Sequence, residues 1–147
     1  MPSKLLASSV LVAASVHCIA ATDLTPFPFD PAQLAGWWAE SYNTDTTCGP
    51  QNLRTTMQVD PVAKRLEMRF DRMWKTELGE RDRFGARILS ATARSLVIQY
   101  DGETRKKRSG EPVEWELSIV APGVYRWRET EWRAGEVNTV VGIRCPS

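Results

Sequence analysis

The chain has 147 residues and almost balanced charge, 19 Lys and Arg against 18 Asp and Glu, with one histidine and three cysteines. His17 and Cys18 lie in an N-terminal apolar segment, so the chain beyond that segment has no imidazole and two thiols, which excludes a Ser-His-Asp or Cys-His relay and a His-ligated metal or haem. Lys4 is the one basic residue of that segment, and the remainder, with 18 cations against 18 anions, lacks the one-sign field that nucleic acid or an anionic membrane needs.

Residues 1–21 carry Lys4, an apolar and small-residue core over 5–16 and a small-residue exit at Cys18-Ile19-Ala20-Ala21. This is the pattern of an export signal, with cleavage expected after Ala20 or Ala21. The run is broken by Ser8, Ser9 and Ser15 and falls short of the roughly 20 apolar residues that span a bilayer. Lipid anchoring at Cys18 is disfavoured, because His17 and Ser15 stand where that processing wants a small residue and a leucine. A periplasmic or secreted location is expected.

Residues 22–33 form a Pro-rich arm. Pro26, Pro28 and Pro31 block helix and ladder pairing, and Phe27 and Phe29 can plug an open end of a core. Asp30 ahead of Pro31 predicts one capped turn over 31–35. The rest, 34–147, reads as one domain with a period of two. A first strand is placed at 36–42, where Trp37 and Trp38 must point to opposite faces, one of them outside. Leu53, Thr55, Met57 and Val59 alternate with polar neighbours, Asp60-Pro61 turns the chain, and Leu66, Met68 and Phe70 alternate with Glu67 and Arg69. Further strands fit 84–90, 95–100, 113–120, 125–132 and 137–144, and 74–78 is a ninth segment or an excursion. Turn signals at Ala93-Arg94, Asp101-Gly102, Ala121-Pro122-Gly123 and Ala134-Gly135 separate them. Strands in series with short connections predict an all-β fold, an eight-stranded antiparallel up-and-down β-barrel, whose closure removes exposed edges. At this point a filled barrel and one with room for a small ligand are both open.

The basic run Arg105-Lys106-Lys107-Arg108, bracketed by Glu103 and Glu111, reads as a solvated hairpin loop. In an oxidising compartment Cys48 and Cys145 are expected to pair. Their spacing excludes a CxxC redox pair, and the bridge would hold the two ends of the domain side by side.

Leu34-Ala35-Gly36-Trp37-Trp38 opens the first strand, and here the chain resembles the calycins, the superfamily of lipocalins, avidins and fatty-acid-binding proteins. The resemblance implies that Gly36 and Trp38 form the Gly-x-Trp triplet that lays an indole across the closed end of the barrel, with Arg144 as the covering guanidinium. The lipocalin Thr-Asp-Tyr turn motif does not occur. The chain also resembles small barrel inhibitors exported by bacteria. Those directed at metalloproteases share the Leu-x-Gly-x-Trp opening and a cysteine after the first strand, here Cys48, although their second cysteine lies closer than Cys145. Those directed at lysozyme tie their barrel ends with a similar disulfide.

Six tryptophans, Trp37, Trp38, Trp74, Trp115, Trp127 and Trp132, can fill a barrel or line a pocket. If Tyr125 and Trp127 face inward, Glu129 and Glu131 follow on the same face, as Glu40 follows Trp38. A carboxylate buried there without a cation or donors is costly and would have to meet Arg144 or another Arg; otherwise the strand twists or bulges and these glutamates reach solvent. Glu129 with Glu131, or Glu114 with Glu116, have a spacing compatible with glycoside hydrolysis but are read as surface groups.

The expected function is therefore non-catalytic, lipocalin-like binding of a small, partly apolar molecule, with no cofactor and no metal. Tyr100, Trp115, Tyr125 and Trp127 would line the site and Glu129 would supply a polar contact. Gly36, Trp38, Arg144, Cys48 and Cys145 would be structural, and the protein a monomer. The alternatives are a periplasmic inhibitor of a protease or lysozyme acting through the arm or loops, and a structural envelope protein with a filled barrel.

Overall fold

The computed structural model describes residues 26–41, 47–76, 79–136 and 139–146. The export signal expected at 1–21, the start of the arm, and Tyr42, Leu78 and Val137 lie outside the described residues. Asp30 caps a single 3₁₀ turn, Pro31–Leu34, its carboxylate accepting from the Ala32 N–H at 3.0 Å. This matches the capped turn expected from Asp30-Pro31.

Eight strands make up the rest: β1 (Trp37–Ser41), β2 (Leu53–Asp60), β3 (Arg65–Thr76), β4 (Gly79–Ala91), β5 (Ser95–Tyr100), β6 (Trp115–Ala121), β7 (Val124–Glu129) and β8 (Thr139–Arg144). Each pairs antiparallel with its successor, and β8 returns to β1 with Arg144 opposite Trp38 and Gly142 opposite Glu40. The result is the closed up-and-down barrel that the serial alternation predicts. Met57 and Val59, Leu66 and Met68, Ala86 and Ile88, Leu96 and Ile98 all face inward and are buried. Their period of two puts every apolar partner on one face, so a slip of one residue would expose the whole set.

Several boundaries differ from expectation, among them the start of β4, which lies at Gly79 and not at 84. The segment at 74–78 is not a ninth strand: β3 continues through a register shift between Arg69 and Trp74 and pairs again with β4, Trp74 opposite Arg81. β6 begins at Trp115 because buried Val113 donates its N–H to the Arg105 carbonyl (3.1 Å), anchoring the preceding loop instead of extending the ladder. β7 stops at Glu129 because the chain turns there: the Trp132 N–H donates to the Glu129 carbonyl at 3.0 Å and Trp132 Nε1 to the Glu136 carbonyl at 2.9 Å. The Arg128 guanidinium lies 3.7 Å from the Trp132 ring centroid and covers the turn.

The end of the barrel where β1 starts and β8 finishes is filled. Phe29 and Leu34 are buried there, so the arm from Pro26 onward is committed to plugging the core, in line with the reading of its phenylalanines. Trp38 lies across this end, donating Nε1–H to the Leu34 carbonyl at 2.9 Å, with the Arg144 guanidinium 4.9 Å from its ring. The same guanidinium donates to the Gln33 carbonyl at 2.5 Å. Gly36 turns the chain into β1 at φ +92°, a left-handed conformation that a residue with a Cβ adopts at a cost. Trp37 points outward, is 42% exposed, and carries the Arg54 guanidinium 5.5 Å above its ring.

Cys48 and Cys145 form a disulfide across a Cα–Cα distance of 5.5 Å. The Cys145 N–H donates to the Trp37 carbonyl at 2.7 Å, so the bridge pins the β1–β2 connection beside the β1–β8 seam. A bond of this kind persists in oxidising compartments. Among the described residues no helix is long and apolar enough to cross a membrane.

Candidate functional site

At the opposite end, where β1, β3, β5 and β7 finish, the interior opens into a cavity of about 420 Å³. The barrel is thus filled in one half and hollow in the other. Phe70 and Phe84 meet edge to face at 5.4 Å in its wall, and Tyr100 stands edge-on to Phe84 at 6.3 Å. Trp115, Trp127 and Trp74 add indole surface. Side chains of this kind expose large apolar faces with few polar atoms, the ordinary lining of a small-molecule site.

One carboxylate lies at the floor. Glu40, two residues beyond Trp38 on the same face of β1, receives a hydrogen bond on Oε1 from the Tyr125 hydroxyl at 2.5 Å and another from Trp127 Nε1 at 3.2 Å. Tyr125 can cross from β7 to β1 because β8 between them has Gly142 at the crossing point, paired with both Tyr125 and Glu40. A Cβ at Gly142 would overlap the Tyr125 ring. Gly142→Ala is therefore expected to destabilise the fold by about 2–3 kcal/mol, read by urea unfolding; a cost below about 0.5 kcal/mol would show that the ring has room to move.

Burial pushes the Glu40 carboxyl above its ordinary range, and the two donors only partly offset this. Burial likewise pushes the Tyr125 hydroxyl well up, with the negative charge of Glu40 adding to it, so Tyr125 stays a donor. A carboxyl raised on folding contributes stability that is complete below the unfolded-state Glu range and is lost as pH rises through the raised value. Asp71, held at about 2 chiefly by the Arg72 hydrogen bond with help from Arg54, acts in the opposite sense, losing stability as pH falls. Comparing Glu40→Gln with the parent cancels Asp71 and isolates Glu40. The melting temperature of the variant is expected to gain on that of the parent progressively as pH rises from about 4, the unfolded-state Glu value, to neutrality. A calorimetric difference that stays flat across this interval would contradict the burial of Glu40.

The mouth is charged. The Glu103 side chain is buried and binds Arg105 through Nε at 2.8 Å and Nη2 at 2.6 Å. Burial alone would raise the Glu103 carboxyl, yet the Arg105 hydrogen bonds outweigh it and hold it below its usual value. The clamp sets the Arg105 guanidinium 5.7 Å from the Trp115 ring at the rim, where Lys75 and Glu129 also reach the cavity. Two further cations of the basic run are neutralised locally: Lys107 pairs with Glu114 at 3.1 Å, and Arg108 pairs with Glu136 while its N–H donates to Glu131 at 2.8 Å. They border a shallower surface depression of about 530 Å³ between this loop and the 131–136 turn.

Of the residues selected from sequence, Tyr100, Trp115, Trp127 and Glu129 border the cavity. Tyr125 lies beneath it, fully buried, and acts through Glu40. Glu129 lies on the inner face at the rim, whereas Glu131 has left the strand. The expectation that an inward carboxylate would meet Arg144 fails for Glu40, because Arg144 is on the far side of Trp38 and uses the Gln33 carbonyl. The sequence reading missed Glu40 as the deep polar group and Phe70 and Phe84 as wall. The signal for Glu40 was its place two residues after Trp38. Comparison with protein families, curated proteins and solved structures finds no match to this chain in any of the three.

Proposed function

We propose that this chain is an exported, non-catalytic protein of lipocalin type that holds one small, partly apolar molecule in the open half of its barrel. The observation that carries the reading is the contrast between the two halves: one is plugged by Phe29, Leu34 and Trp38, while the other keeps about 420 Å³ lined by aromatic rings, with the Glu40 carboxylate at its floor. That volume lies within the roughly 300–1,000 Å³ of small-molecule sites. Calycin membership is supported by the Gly36-x-Trp38 opening with Arg144 stacked on the indole. A periplasmic or secreted location is supported by the leader-like N-terminus and the Cys48–Cys145 bridge.

Titration with a neutral fluorescent naphthylamine tests the proposal. Saturable one-to-one binding with quenching of tryptophan emission is expected. Trp115→Ala should weaken it by about tenfold, the loss of roughly 1.4 kcal/mol of contact. This variant suits the test because Trp115 is only half-buried at the rim and its Nε1 finds no acceptor among the described residues, so removing it leaves no new orphan group in the protein. Absence of saturable binding, or binding indifferent to Trp115→Ala, would overturn the proposal.

A further inference from the structure

Resting on the binding role just proposed, we infer that the cavity is built for an organic cation, a protonated amine on a compact apolar or aromatic body, with the ammonium seated on Oε2 of Glu40. Both hydrogen bonds that Glu40 receives end on Oε1. Oε2 is left as the acceptor at the floor of a cavity that Glu40 itself lines. Among the described residues no Lys or Arg pairs with Glu40: Arg144 is screened by Trp38, and Arg105 is held by Glu103.

A half-buried carboxylate among aromatic walls with no cation beside it is costly to keep ionised, and its replacement by Gln would keep the Oε1 hydrogen bonds. The protein instead places an acid where an incoming charge would complete the pair. The surroundings favour the same ligand class. Trp127 and Tyr100 stand beside the floor, and an aromatic ring attracts a cation through its quadrupole. The rims of these walls already hold protein cations in this way, Arg105 over Trp115 and Arg81 over Phe84 at 5.5 Å. At the mouth Lys75 and Arg105 stand with Glu129 and the Glu103 that clamps Arg105, so the rim offers no one-sign field and Glu40 places the charge of the ligand at the inner end.

Three probes of one shape separate the possibilities: 2-naphthylmethylammonium, 2-naphthylmethanol and 2-naphthoate, titrated at neutral pH against the full exported chain with tryptophan quenching and calorimetry as readouts. The ammonium is expected to bind at least about tenfold more tightly than the alcohol and about a hundredfold more tightly than the carboxylate. In Glu40→Gln the preference of ammonium over alcohol should shrink to within about twofold, with the affinity of the alcohol changed by less than about threefold. Glu129→Gln, at the rim, should leave most of the preference in place. Equal binding of all three probes by the parent, or tightest binding of 2-naphthoate, would overturn the cation inference while leaving the binding role intact. Failure of all three to bind would overturn the binding role itself. The comparison among probes uses the parent protein alone, so it stands even if Glu40→Gln does not fold.

Discussion

Trp38→Ala is expected to destabilise the protein by about 3–5 kcal/mol, the range for removing a large aromatic from a packed core. Trp38 is fully buried, packs on Tyr125 with ring centroids 4.8 Å apart, and supports the Arg144 guanidinium from below. Its Nε1–H also satisfies the Leu34 carbonyl, which would be left unpartnered in the variant. Trp38→Phe keeps most of the volume and loses this hydrogen bond, so its cost should be smaller, about 1–3 kcal/mol. Arg144→Ala removes an exposed partner and should cost about 1 kcal/mol or less. Urea unfolding followed by far-ultraviolet circular dichroism gives all three values. If Trp38→Ala cost no more than Arg144→Ala, the closed end would not be held by indole packing.

The second large effect is expected from the disulfide. Cys48 and Cys145 are 97 residues apart, and releasing a loop of that size restores roughly 4–5 kcal/mol of freedom to the unfolded chain in the chain-entropy model. The double variant Cys48→Ser/Cys145→Ser should lose most of this and unfold with a steeper dependence on urea, because its unfolded state is more expanded. The seam itself should survive, since β1 and β8 are joined by their own ladder with Trp38 opposite Arg144 and Glu40 opposite Gly142. Oxidised protein should show no free thiol at either position. A stability difference below about 1 kcal/mol would mean that the unfolded chain is already held compact by other contacts.

Much of the fold was legible in the residues. Alternation at Leu66, Met68 and Phe70, or at Leu96 and Ile98, has one reading for a half-buried strand, and eight such runs with short turns leave closure as the economical way to cover the edges. Asp30-Pro31 marked its turn because the capping group and the fixed φ act within three residues. The misplaced boundaries are the ones decided by contacts within the adjoining loops: Val113 leaves the ladder for the Arg105 carbonyl, and Trp132 turns back under Arg128. Neither contact has a signature in the local pattern.

The candidate site divides in the same way. Trp38-x-Glu40 and Trp127-x-Glu129 look alike as local patterns, each an indole followed by a carboxylate on the same face. Glu40 became the floor and Glu129 the rim because Tyr125 and Trp127 direct their donors at Glu40, and the Tyr125 ring reaches it only across the bare Cα of Gly142. The residues alone foretold the closed all-β barrel, the sulfur bridge and the Gly36-x-Trp38 opening, because periodicity and turn chemistry act between neighbouring residues and the chain beyond the leader-like segment holds two thiols. Which half is plugged, how much volume the other half keeps, and which carboxylate lies deepest were decided by the tertiary structure, because each depends on side-chain volumes meeting across the barrel from strands far apart in the chain.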